Sequence, residues 1–362
     1  MKKAVKIPLL LILILLLGAA AFIGFLTLVE YRPADQEKVS TELWIEDNGS
    51  TRTISTLPSN KEFSIITWNV GYCSLGSNAD FFMDGGKMVN TADKERVDLN
   101  LNKIIKKLQA ENPDFIFLQE VDVKSKRSHR TNEKVAFQEN FKDYESAFAT
   151  NFKVPFIPYP VPPIGKVYSG IQTLSQYDVS EASRIALPTS FKWPYRLGNL
   201  KRCLLITRLP IDGMNKELVL INLHLEAYDS GEGKIMQTKV FKSVLEEEIE
   251  KGNYVIAGGD FNQQFSSTDA SSYPILSSDY WAPGIINESD FDSSLKFYQP
   301  SQVPSCRSLD KAYEGQSAEN FQFYFIDGFI VSENVKVTSA ATIDMNFENT
   351  DHNPIRLTFT LN

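Results

Sequence analysis

The longest pattern in the chain is an apolar run from Ile7 to Val29, preceded by Lys2, Lys3 and Lys6. About 20 apolar residues in a helix cross a bilayer core, so the run is long enough to span. Ala19-Ala20-Ala21 resembles a signal-peptidase site, yet apolar sequence continues to Val29, which suits a retained anchor over 1–29. The lysines favour a cytoplasmic N-terminus and place everything after Glu30 outside the cytoplasm, on a single-pass membrane protein. Residues 30–60 are polar and contain the hairpin signal Asn48-Gly49. They read as a stalk that adds a small ribbon to a body spanning 61–362.

Within the body, short apolar strands alternate with two amphipathic helices. "FSIITWNV" (63–70) is a β-branched run with a polar tip. A helical face of Val97, Leu101, Ile104, Ile105 and Leu108 follows, stopped by Asn112-Pro113. "DFIFLQEV", "CLLITRLPI", "LVLINLHL", "NYVIAGGDFN", "FQFYFIDGFIV" and "PIRLTFTL" are further strands, and "KIMQTKVFKSVLEEEIEKG" is the second helix. Many strands with few helices predict an α+β sandwich, antiparallel sheets with helices outside. Val154–Pro163, "VPFIPYPVPP", reads as an extended loop because its prolines lack backbone donors. With Phe152, Phe156, Ile157 and Tyr159 together, this loop is either a stiff surface segment or a lip touching lipid.

Composition changes the picture in two places. The chain is 43% hydrophobic and 23% charged, as a globular protein should be. It carries 37 basic and 45 acidic residues, and setting aside the three anchor lysines leaves 34 against 45, a net of −11. An acidic body supplies no basic surplus for the nucleic-acid backbone, which weighs against a nuclease acting on long duplexes. Cys73, Cys203 and Cys306 match no metal spacing and read as buried small hydrophobes.

The chemistry concentrates at strand ends: Asn69, Glu120, His224, Asp260 with Asn262, Asp327, and the pair Asp351-His352. Singly, each residue is ordinary. Collectively, hard oxygen donors suit Mg²⁺, which prefers a few protein ligands plus water and substrate phosphate. There is no G-x-S-x-G and no H-E-x-x-H, and only three histidines exist to build a serine, cysteine or zinc hydrolase. Alternation along a strand end would turn Asp351 and His352 to opposite faces. His129, in "KSKRSHRTNE", reads as exposed.

In order, W-N, L-Q-E, S-G-I-Q-T-L-S, N-L-H-L, G-G-D-F-N, I-D-G-F and T-D-H-N-P-I resemble the endonuclease/exonuclease/phosphatase superfamily of DNase-I-like enzymes. The resemblance runs from about Phe63 to Thr360. It implies a four-layer α/β/β/α sandwich and a phosphoric ester hydrolase dependent on Mg²⁺ or Mn²⁺. By that likeness Asn69, Glu120 and Asp351 form the metal site, with Glu120 the direct ligand. Asp260 would orient and deprotonate the attacking water, and Asn262 would donate to phosphoryl oxygens. His224 would stabilise the developing charge or assist the leaving oxygen. His352, held by Asp327, would meet the scissile phosphate.

Two positions depart from the family pattern: Thr350 stands where serine is usual before Asp-His, and Gln176 where an arginine often follows. Arg202 or Arg184 would then supply a phosphate contact. The stretch "HLEAYDSGEGKIMQ" resembles the bacterial sphingomyelinase-like branch. Together with the anchor, the acidic charge and the proline loop, it points to a lipid or small phosphodiester. The alternatives are an extracytoplasmic nuclease or nucleotide phosphodiesterase, and an inactive binding module of the same fold.

Overall fold

A computed structural model describes residues 2–44, 55–229 and 231–361. The Asn48-Gly49 turn lies outside them. The apolar run forms α1 (Lys2–Leu28), within which Ile7–Leu28 is long and apolar enough to cross a membrane.

Among the described residues, two seven-stranded mixed sheets make the body. One runs β17 (Val335–Thr342), β18 (Ile355–Leu361), β3 (Glu62–Asn69), β4 (Phe115–Asp122), β6 (Gly165–Ser175), β5 (Glu145–Ile157), β2 (Thr41–Leu43). The other runs β1 (Gln36–Val39), β7 (Glu181–Ala186), β8 (Cys203–Pro210), β9 (Glu217–His224), β10 (Tyr254–Asp260), β16 (Asp327–Ser332), β13 (Leu295–Tyr298). Two-stranded ribbons, β11 (Gln263–Phe265) with β12 (Gly284–Ile286) and β14 (Cys306–Arg307) with β15 (Phe323–Tyr324), flank them.

Each large sheet is antiparallel except at one central pair. β3 and β4 are parallel, joined by α2 (Lys94–Glu111), and β9 and β10 are parallel, joined by α4 (Glu232–Glu250). A parallel pair needs such a crossover, and both helices return across the outer faces. The expected face of α2 is buried, its N-terminus capped by the Asp93 carboxylate and its C-terminus ended by Asn112 in the left-handed conformation. Phe63, Phe115, Leu205, Leu220, Phe329 and Phe359 fill the space between the sheets. Val97, Ile104 and Leu108 of α2, with Phe137 of α3 (Glu133–Asn140), seal one outer face, while Phe241 and Leu245 of α4 seal the other. The layers are therefore helix, sheet, sheet, helix. All three cysteines are free and buried.

Three local features differ from the sequence reading. Within 30–60, β1 and β2 are not a separate stalk but join opposite sheets of the body, pairing with β7 and β5. Val154–Ile157 continues β5 and is not loop. Pro155 is tolerated there because β2 covers only Glu145–Ala147 and the ladder to β6 is bulged between Val154 and Ile157. Asp351 and His352 precede β18 in irregular backbone, so strand alternation does not apply to them.

Candidate active site

Parallel strands deliver their C-terminal ends to one edge of a sheet. Asn69 ends β3 and Glu120 lies at the end of β4; His224 and Asp260 end β9 and β10. Asp260 stands in register with His224 on one side and Asp327 on the other. Four of the strand-end residues and the first residue of β16 thus meet by topology alone.

The approach of β10 to β9 depends on Gly259. It has φ +147°, and a Cβ there would stand 2.0 Å from the Leu223 carbonyl oxygen, so only glycine fits. Glu120 is set by a different device. The β4–β6 ladder is bulged between Leu118 and Val121, and Glu120 takes φ +56°. This strained position aims its carboxylate into the cleft, as bulges beside active sites do.

The side chains form one network. Asn69 Nδ2 donates to Asp260 Oδ2 at 3.0 Å and to Glu120 Oε1 at 3.3 Å, while Asn69 Oδ1 accepts from the Gly71 N–H at 3.0 Å. A main-chain N–H can only donate, which fixes the amide's orientation. His352 Nδ1 bonds Asp327 Oδ2 at 2.8 Å, and its Nε2 lies 3.8 Å from Asp260 Oδ2 and 3.9 Å from Asp351 Oδ2. Asp351 and His352 therefore serve the same cleft from the same side, correcting the opposite-face reading. Thr350, in place of the usual serine, donates to the Asn69 carbonyl at 3.0 Å. His224 Nε2 is 3.5 Å from Asp260 Oδ2. The Asn262 N–H donates to Asp260 Oδ1 at 2.8 Å, and its side chain donates to the Leu225 carbonyl at 2.9 Å.

Burial and neighbouring charge tune these groups in opposite directions. Burial, reinforced by Asp327, pushes the Asp260 carboxyl up to about 7. Burial also raises Glu120, opposed by Arg127 and reinforced by Asp351. Burial would depress His352, but Asp327 and Asp351 outweigh it and hold the imidazole well above its ordinary value. His224 goes well below its own, through burial and the Arg202 charge, so it is neutral. The cleft holds one cationic and one neutral imidazole. The Glu120 carboxyl, raised by burial and by Asp351 beside it, and the Asp351 carboxylate are hard oxygen donors that fit a divalent cation between them.

Glu120, His224, Asp260, Asn262, Asp351 and His352 line a cavity of about 540 Å³ whose apolar lining includes Phe82, Phe152, Ile157, Ile164, Phe191 and Leu200. Arg202 reaches this cavity, but it donates to the His224 carbonyl at 3.1 Å and faces Glu226 at 3.4 Å. Arg184 does not line it; buried elsewhere, it donates to the carbonyls of Thr150 and Lys201. His129 is exposed. Its neighbour Arg127 went unnoticed in the sequence. Its guanidinium stacks 3.7 Å over the Tyr72 ring, grips Asp122 through Nε and Nη2, and sits 3.9 Å from Glu120. Nothing in "KSKRSHR" distinguishes it from the surrounding surface charges.

Two packed mixed sheets with a carboxylate-imidazole cleft at their shared edge define a class of phosphoester hydrolases. The chain belongs to the Endonuclease/Exonuclease/phosphatase family, whose model matches residues 66–343. That match stops short of Asp351 and His352, which the fold returns to the cleft. No curated protein matches the sequence. Among solved structures, an endonuclease/exonuclease/phosphatase from Beutenbergia cavernae DSM 12333 aligns with TM-score 0.54 and 15% identity, over 83% of this chain and 72% of that one. Humanized D. rerio TDP2 aligns with TM-score 0.51 and 17% identity, over 83% and 99%. A conserved protein from Enterococcus faecalis V583 gives 0.52 and 14%, over 83% and 100%. At these identities the likeness is one of fold.

Proposed function

We propose that this chain is a membrane-anchored, divalent-metal-dependent phosphoesterase that hydrolyses a lipid or small phosphodiester by water attack. The observation that carries the reading is the Asn69 amide, bridging the Glu120 and Asp260 carboxylates in the cleft that also holds His352. Glu120 and Asp351 would hold Mg²⁺ or Mn²⁺, with Asn69 fixing Glu120. Once bound, the ion neutralises charge on the non-bridging phosphate oxygens.

Asp260, with its carboxyl poised near neutrality, orients the water and accepts its proton. The protonated His352 faces the anionic phosphate, its charge maintained by Asp327. The neutral His224 donates to a developing oxyanion. Asn262 has a second amide hydrogen for a phosphoryl oxygen beyond the one given to Leu225. The helix α1 anchors the body outside the cytoplasm.

Turnover of bis-p-nitrophenyl phosphate by the full chain in detergent tests this. Activity should require added Mg²⁺ or Mn²⁺ and vanish in Glu120→Ala. Equal turnover in chelator, or in the variant, would overturn the assignment. Parallel assays on plasmid DNA, phospholipid vesicles and inositol phosphates sort the substrate class.

A further inference from the structure

The apolar helix and the catalytic cleft meet at the same two segments, the end of β5 with the residues after it and the 193–201 stretch before β8. Phe22 of α1 packs edge-to-face on Phe156 at 6.2 Å, and Leu26 is buried. Trp193 Nε1 donates to Thr27 Oγ1 at 3.1 Å. Just past the helix, the buried Glu30 carboxylate pairs with Arg196 at 3.2 Å, Lys201 at 3.1 Å and Arg32 at 2.9 Å. These contacts interleave with the cleft's own lining: Ile157 and Tyr159 follow Phe156, and Tyr195, Asn199 and Leu200 lie between Trp193 and Lys201.

The depth of these contacts sets an orientation. At about 1.5 Å per residue, Ile7–Leu28 is roughly 33 Å long, close to the ~30 Å hydrocarbon core. Phe22 lies six positions before Leu28, so Phe156 touches α1 about 9 Å inside the end of the apolar run. A segment that reaches this level enters the bilayer interface. Its neighbours suit that setting: Tyr159 is 70% exposed, Val161 92%, Trp193 54% and Tyr195 77%. Exposed aromatics at the end of an apolar span are the composition of an interfacial belt, and the exposed Lys192 beside them offers a cation to lipid phosphates.

We propose that α1 clamps the body so that the cleft opens onto the bilayer surface, and that the substrate is a membrane-resident phosphate ester. Its phosphate reaches Glu120, Asp260 and His352, while its hydrophobic portion runs along Phe152, Ile157, Ile164 and Phe191. The proposal rests on the phosphoesterase reading and narrows it. A water-soluble phosphodiester has no use for so apolar a wall, nor for a mouth held against lipid.

The test uses the full chain in vesicles of phosphatidylcholine and phosphatidylglycerol, assayed for hydrolysis of those lipids and, in the same sample, of bis-p-nitrophenyl phosphate. Val161→Asp and Trp193→Asp place charge on the belt outside the cleft. They should cut lipid turnover by about tenfold while leaving the soluble substrate within about twofold. Unchanged lipid turnover in both variants would overturn the proposal. So would wild-type protein that hydrolyses only the soluble ester, although the phosphoesterase reading would then stand. Hydrolysis of neither removes both. Independently of activity, brominated lipid should quench a fluorescence component present in wild type and missing in Trp193→Phe; no such component would also overturn the orientation.

Discussion

His352 Nδ1 lies 2.8 Å from Asp327 Oδ2, joining the first residue of β16 to the segment before β18. That contact leaves Nε2 turned toward Asp260 and Asp351. The carboxylate both fixes the tautomer and favours the charged ring.

Asp327→Asn keeps the shape and removes the charge. Without it, burial draws the His352 imidazole back down, so the cation is lost at lower pH. The expected outcome is a fall in kcat of about 10²-fold, with the alkaline limb of the pH–rate profile moved to lower pH. An unmoved alkaline limb would show that His352 is not the titrating group.

Gly259→Ala is expected to be severe for a packing reason. The new methyl would meet the Leu223 carbonyl oxygen at 2.0 Å, and φ +147° disfavours any Cβ. Neither backbone can yield without separating β9 from β10, so the loss should be about 3 kcal/mol or more. Urea unfolding measures it.

A third expectation concerns acid stability far from the cleft. Arg208 Nη1 donates to Glu248 Oε2 at 3.0 Å, and Lys251 and Asn253 also donate to this buried carboxylate. Burial alone would raise Glu248, but these donors pull it from 4.5 down to about 2. A carboxylate with a lowered folded value stabilises the fold above its unfolded value, and that stability is lost as pH falls from 4.5 toward 2. Glu248→Gln should therefore cost roughly 2 kcal/mol at pH 7, a drop in Tm of about 3 °C. At pH 3 most of that gap should close in thermal melts.

How much of this was legible beforehand depended on whether the information was local. Continuous apolar runs identified β3, β4, β9 and β10, which are buried along almost their whole length, and apolar faces at helical spacing identified α2 and α4. Polar residues ending those strands were visible for the same reason: an Asn or Asp closing an apolar run breaks the pattern. Arg127 was hidden because its meaning lies in Tyr72 and Asp122, each reached only in the folded chain. The β4 bulge that re-aims Glu120 was invisible too, since the sequence "LQEV" carries no glycine or proline to mark it. Asp351 and His352 were assigned to a strand whose ladder begins only at Ile355.

The short segment Gln36–Leu43 has a bearing on how the protein can be cut. It lays β1 along one sheet and β2 along the other within eight residues. A truncation beginning at Lys61 would strip both, leaving the margins of β7 and β5 open as templates for intermolecular pairing. Soluble versions that begin ahead of Gln36 keep β7 covered and the Glu145–Ala147 end of β5 paired, and should stay monodisperse where the shorter form associates.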